Sequence, residues 1–177
     1  MSKRPFAGVS KMPDPVVRRN YGVFLGGTID MDDAQDWRRG AQDFLVAAGA
    51  WVYNPRPDKW DPLSVMSSQD PVFSGQVVWD LAALRACDVA LFYLAPGSVS
   101  PISLFELGTC VGRTHVVVCC PDGYTRQAYV EVACETLSVL CFKHLDEALR
   151  ACLDYLGFEA PTPTPTPTPT PAPTEAP

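Results

Sequence analysis

"DVALFYLAPGSVSPISLFELGTCVGRTHVVVCCP", residues 88–121, decides the fold. It opens with an apolar run of strand length, "DVALFYLAP", closed by proline and glycine. Ser100 then stands as a candidate N-cap with Pro101 at the first helical position, a start signal for the helix "SPISLFELGTCVGR". A second apolar run, "HVVVCCP", follows at once. Strand, helix and strand in this order form a right-handed crossover between parallel strands. Within that apolar helix sits a carboxylate, Glu106, among leucines, a phenylalanine and a glycine.

Working outward, the alternation continues. "YGVFLGG" (21–27) is a buried strand, and "AQDWRRGAQDFLVAAG" (34–49) places Trp37, Ala41, Phe44, Leu45 and Ala48 at helical spacing. "AWVYNP" (50–55) is the next strand, and "FSGQVVWDLAALRAC" (73–87) is a helix with Val77, Leu81 and Leu84 on one stripe. Beyond residue 121 come a short helix around 127–136, the strand "SVLCF" and the closing helix "LDEALRACLDYLG". The sum is an α/β three-layer sandwich: a five-stranded parallel sheet with helices on both faces, Rossmann-like in layering. Residues 21–158 are expected to form the domain. Residues 1–20 read as a flexible arm, and 159–177, "APTPTPTPTPTPAPTEAP" with its preceding glutamate, as a disordered, polyproline-II-like tail.

A chain of 177 residues that is 47% hydrophobic is long enough for one sizeable core. Its formal charge of −6 argues against nucleic acid or an anionic membrane as partner, since both demand clustered cations. Seven cysteines, an odd number, lie in apolar runs and read as buried thiols of a reducing compartment. With two histidines and no CxxC pair, no metal site is expected. The basic start lacks the apolar core of a signal peptide and no run is long enough to span a bilayer, so a cytoplasmic protein is expected.

In parallel sheets ligands bind at the carboxyl ends of the strands. Three polar loops meet on that edge: "GGTID" with Gly26, Gly27, Thr28 and Asp30, "NPRPDKW" with Asn54 and Arg56, and "APGSVSP" with Ser98 and Ser100. Glu106 lies about one and a half turns inside its helix, which begins at this edge. Asp80 arrives from the preceding helix, so two carboxylates converge across one strand. Such a pair suits glycosidic cleavage, one carboxyl attacking or stabilising the sugar carbon while the other handles the leaving group's proton. The structural alternative pairs Glu106 with Arg85 or Arg113 and leaves Asp80 solvated. Asp30 reads equally as a helix N-cap, Asn54 as turn chemistry, the glycines as points of close backbone approach, and Trp37 and Trp79 as core or subunit-contact aromatics.

The phrases "VFLGGTID", "DW", "NPR", "FSGQVVWDL", "CDVALFYLAPGSVSPISLFELG" and "VVVCCPDGY", in this order over residues 21–142, resemble the nucleoside 2-deoxyribosyltransferase family, in particular its branch with the "SPIS" and "ELG" signature. The resemblance implies a flavodoxin-like fold and a cofactor-free double displacement between a nucleoside and a nucleobase. Carried over, Glu106 is the nucleophile and Asp80 the acid and base on the nucleobase. Ser100 faces the 5′ end of the sugar, and Gly26, Gly27, Thr28 and Asp30 line the sugar and base side. The resemblance further implies a homo-oligomer whose neighbours complete each other's pockets. Three features depart from it: Phe24 where members carry a tyrosine, "AYVE" (128–131) where they read "GNVD", and a Pro/Thr tail where some use a terminal carboxylate. A serine at position 100 also matches relatives that hydrolyse nucleoside 5′-monophosphates. The departures make a module that binds a nucleoside without turnover a third expectation.

Overall fold

The structure is a computed structural model and describes residues 7–12, 14–28, 37–56 and 67–161. Asp30, most of the loop after Pro55 and the Pro/Thr tail, on which expectations were placed above, lie outside the described residues. The strands are β1 (Gly8–Ser10), β2 (Gly22–Gly27), β3 (Trp51–Tyr53), β4 (Val89–Tyr93), β5 (His115–Cys119) and β6 (Leu140–Phe142). The helices are α1 (Trp37–Ala48), α2 (Pro71–Ala86), α3 (Pro101–Cys110), α4 (Gln127–Thr136) and α5 (Leu145–Leu156).

All strand pairs are parallel, in the order β1-β3-β2-β4-β5-β6. The five expected strands give the flavodoxin-like order, and the chain reverses its direction of growth between β2 and β4. The sheet has six strands and not five. Gly8–Ser10, in the stretch read as an arm, adds a strand outside β3. The Tyr53 hydroxyl helps to hold it, donating to the Val17 carbonyl at 2.8 Å and accepting from the Arg19 amide at 3.0 Å. A three-residue strand with no alternating pattern carries no periodicity to find in sequence.

Alternation along each strand divides the core. Phe24, Ala90, Phe92, Val116 and Val118 face Trp79, Ala83, Leu84, Cys110 and Val130 of α2, α3 and α4. Val23, Leu25, Val89, Leu91 and Val117 face Ala41, Leu45, Ala148 and Leu153 of α1 and α5. That period of two, buried on both sides, is what a covered parallel sheet requires. The seven cysteines are free thiols, six of them buried; Cys119 and Cys120 belong to opposite core layers.

Two local expectations need correction. Of the stripe Val77, Leu81, Leu84, Leu84 is buried and Leu81 packs on the core, but Val77 is exposed, and Trp79, Ala83 and Ala86 complete the buried face of α2. The helix starts two residues earlier than expected, with Pro71 in its first turn and the Asp70 carboxylate accepting from the Val72 and Phe73 amides. Ser100 is not a side-chain N-cap; it has left-handed backbone geometry, φ 44° and ψ 51°, and its hydroxyl turns toward β2.

Gly27 ends β2 with φ 131°, and a Cβ there would lie 2.1 Å from the Tyr93 carbonyl oxygen on β4. Backbone cannot retreat from backbone in mid-sheet, so a side chain is excluded on two counts. Gly27→Ala is expected to cost roughly 3 kcal/mol or more, measured as a fall in the urea midpoint. A midpoint unchanged from wild type contradicts this account of the turn.

Candidate active site

The site forms where the chain reverses between β2 and β4. The amide of Thr28 donates to the Tyr93 carbonyl at 2.9 Å, carrying the β2–β4 ladder one step past the strand ends. The Thr28 hydroxyl accepts from the Ala95 amide at 2.9 Å and meets the hydroxyls of Ser98 at 2.9 Å and Ser100 at 2.6 Å. Ser98 and Ser100 are 3.0 Å apart. All three are buried. The left-handed geometry of Ser100, which costs a non-glycine residue about 1–3 kcal/mol, closes this hydroxyl cluster at the start of α3. The helix then runs back along the sheet with Ser103, Glu106 and Cys110 on its buried face.

Glu106 is 9% exposed, and Asp80, just past the middle of the sixteen-residue α2, is partly buried. The two are close enough for Glu106's charge to act on Asp80. Asp80 is oriented by Gln76 one turn earlier, whose amide donates to the Asp80 carboxylate at 2.6 Å and to the Pro55 carbonyl at 2.9 Å. The α2 carboxylate is thereby tied to the loop after β3.

The electrostatics follow from burial. Asp80 rises from its ordinary 3.8 to about 7, first through desolvation and then through the charge on Glu106, against the Gln76 hydrogen bond and Arg38. Glu106 rises from 4.5 to about 7 through desolvation, opposed by the Arg38 guanidinium. Arg38 favours the ionised form of both carboxyls, and the two repel each other when both are charged. Both are held near 7, so at neutral pH the pair carries charge and proton together, the condition in which one carboxyl can act as an anion and the other as an acid. The arginine that acts on Glu106 is Arg38, and neither Arg85 nor Arg113.

This arrangement weakens the fold at neutral pH. A carboxyl whose pKa is raised on folding contributes stability that is fully present below its unfolded value, near pH 4, and lost as pH rises through the folded value, about 7. Neutral variants escape the loss. Asp80→Asn and Glu106→Gln are each expected to raise the melting temperature at pH 8 by about 5 °C or more. The gain should shrink to less than half at pH 5. A thermal melt series showing no gain at pH 8 contradicts the buried pair. Because Glu106 acts on Asp80, the double variant should gain less than the sum of the singles.

The remaining expected residues divide. Gly26 and Gly27 are buried at the end of β2, where Cβ atoms would strike Phe92 and Tyr93, so close approach explains them. The Asn54 side chain is occupied by turn chemistry, its amide donating to Gln42 at 3.0 Å and its oxygen accepting from the Arg56 amide at 3.1 Å. Arg56 stands half-buried at the β3 edge of the site. Phe24, in the place of the family's tyrosine, is wholly buried in the core against Phe92 and presents no polar atom. Ala128 to Glu131 lie in α4, within the helix expected around 127–136, and Tyr129 is 78% exposed there. Trp79 is a core residue that donates to the Asp14 carbonyl at 2.8 Å, and Trp37 packs on Tyr93.

Two residues of the site escaped the sequence reading. Gln76 stands four residues before Asp80, the spacing at which helical side chains meet. Arg38 shares a stripe with Ala41 and Leu45, and a cation on a buried stripe was the available signal. Among the described residues no group of histidines, cysteines and carboxylates is placed to hold a metal ion, and no helix is long and apolar enough to cross a membrane.

Residues 20–124 match the family model described as nucleoside 2-deoxyribosyltransferase like. No curated protein matches the chain. The family match runs from β2 through the loop after β5 and takes in the hydroxyl cluster, Arg38, Asp80 and Glu106. With more than half of its 177 residues inside that match, the chain belongs to the nucleoside 2-deoxyribosyltransferase-like family.

Proposed function

We propose that the protein transfers 2-deoxyribose from one nucleobase to another through an ester on Glu106. The observation that carries this reading is the pair of buried carboxyls on α2 and α3, both raised to about 7, so that one can attack as the anion while the other holds a proton for the base. In the first half, the Glu106 carboxylate attacks C1′, the C1′–N bond breaks, and the electron pair leaving with the base takes the Asp80 proton. In the second, the nitrogen of an incoming base attacks C1′, its proton passes to Asp80, and the ester bond breaks to restore Glu106. One hard displacement becomes two easier ones. Thr28, Ser98 and Ser100 lie at the start of α3 to meet the 5′ end of the sugar.

A second reading, hydrolysis of a deoxynucleoside 5′-monophosphate, is favoured by serine at position 100. The cluster of neutral hydroxyls supports a sugar hydroxyl over a doubly charged phosphate, which calls for charge-assisted donors. Incubation with a deoxynucleoside, with and without a second free base, distinguishes the readings. Transfer predicts base release that rises with the acceptor and a new nucleoside in equal amount. Release indifferent to the acceptor overturns it in favour of hydrolysis, and binding without release in favour of a module that only recognises its ligand.

The same reading includes self-association. Val78 of α2, Ile102 and Phe105 of α3, and Tyr129 and Val132 of α4 are large, exposed and apolar, all on the helical layer that carries the two carboxylates. Large apolar side chains left exposed on one helical layer are the kind of surface that interfaces use. Light scattering on the intact chain is expected to give a dimer or larger; a monomer at micromolar concentration contradicts it.

A further inference from the structure

Between Pro96 and Ile102, in the loop after β4 and the first turn of α3, only Ser98 and Ser100 are buried; Val99 is 56% exposed. No buried apolar side chain anchors this stretch, so hydrogen bonds must hold it. It also needs holding, because Gly97 and Ser100 both have left-handed backbone, φ 74° and 44°, and for a serine that conformation is costly. Thr28 at the β2 edge supplies one support, meeting both serine hydroxyls. The other comes from the loop after β5. The Gly97 amide donates to the Gly123 carbonyl at 2.8 Å, and the Tyr124 hydroxyl donates at 2.8 Å to the carbonyl of Val99, the residue between the two serines. Tyr124 is 3% exposed, in the core layer with Leu94, Cys120 and Val130. Its own loop is braced: the Gly123 amide donates to the Gln127 side chain at 3.0 Å, the Gln127 amide donates to Asp122 at 2.9 Å, and Lys143 pairs with Asp122 at 2.9 Å.

We propose that Tyr124 is a positioning residue for the 5′ end of the sugar: its buried phenol, donating to the Val99 carbonyl, holds the segment from Ser98 to Ser100 with both serine hydroxyls turned to Thr28. A phenylalanine would fill the same core volume, so packing alone does not call for tyrosine. The hydroxyl is the part that reaches the loop, and it does so between the two serines. Freed of that bond, Ser100 can relax toward the extended backbone usual before a helix, where its side chain caps α3 instead of meeting Thr28. The loop after β5 thus sets the shape of the loop after β4. This inference deepens the proposed function and rests on the hydroxyl cluster meeting the sugar's 5′ end.

The test compares the intact protein with Tyr124→Phe, which keeps the ring and its packing and removes only the hydroxyl. In the free protein, amide hydrogen exchange at Ser98 and Leu104, which donate to the Ala95 and Ser100 carbonyls, should quicken about fivefold or more. The Leu94 amide, bonded to Cys119 on β5, should exchange as in wild type. Base release is then followed with a 2′-deoxynucleoside and with its 2′,5′-dideoxy analogue, which lacks the 5′-hydroxyl. The variant should lose about five- to tenfold in kcat/KM on the first donor and stay within about twofold of wild type on the second, which has no 5′-hydroxyl to place. Unchanged exchange overturns the proposal. So does an equal loss on both donors, which would assign Tyr124 to the scaffold alone, or no loss on either. A wild type that releases no base from either donor strikes the transferase reading instead, and exchange then decides by itself whether Tyr124 holds the segment.

Discussion

Glu106→Ala is expected to lower base release from a deoxynucleoside by roughly 10⁴-fold or more, because it removes the atom that forms the new bond. The loss should fall on kcat, with KM little changed, since the hydroxyl cluster and the β2 edge are separate from the carboxylate. The variant should also be more stable than wild type at neutral pH, for a buried group held near pH 7 no longer has to ionise in the fold. Lost activity with gained stability separates a nucleophile from a residue of the core. A buried structural glutamate shows the reverse, since its removal leaves a cavity or an unpaired partner. Steady-state assay beside thermal melts reads both, and a variant with activity within tenfold of wild type contradicts the assignment.

Asp80→Asn should slow transfer between ordinary bases by about 10²–10⁴-fold, the usual worth of a positioned general acid. The loss should depend on the leaving group. A donor whose leaving group needs no proton bypasses the first role of Asp80, so formation of the sugar ester should be nearly normal with such a donor. Its transfer to an incoming base, whose proton then has no acceptor, should remain slow, and the ester should accumulate. A burst of leaving group equal to the enzyme concentration, followed by a slow phase, is the expected trace. An equal slowing of all donors would place Asp80 in support of the fold and not in proton transfer. Gln76 orients this carboxylate, its amide donating to one Asp80 oxygen at 2.6 Å.

How far the sequence carries the account depends on periodicity. The runs "DVALFYLAP" and "HVVVCCP" are apolar on both faces, which is why the strands and their parallel pairing were legible, and Pro101 marked the start of α3 to the residue. β1 was not legible, because Gly8–Ser10 is paired through backbone to β3 and no side-chain pattern announces it. The buried face of α2 was only partly legible because the helix is apolar on more than one side, with Val72, Val77 and Val78 facing outward. The carboxylates were visible as polar positions in apolar helices. Their electrostatic neighbour was not, since Arg38 reaches them from α1 on the far layer, across the end of β2. Ser100 was read from its position before proline as a cap, a rule that presumes extended backbone; its left-handed φ of 44° redirects the hydroxyl to Thr28.

The most direct measurement is intact and peptide mass spectrometry of the protein trapped with a 2-fluoro-2-deoxynucleoside, whose fluorine slows both formation and breakdown of the sugar ester. The account predicts one added fluorodeoxyribosyl group per chain, located on the peptide containing Glu106 and absent from Glu106→Ala. Base release with no adduct, or an adduct on any other residue, contradicts it.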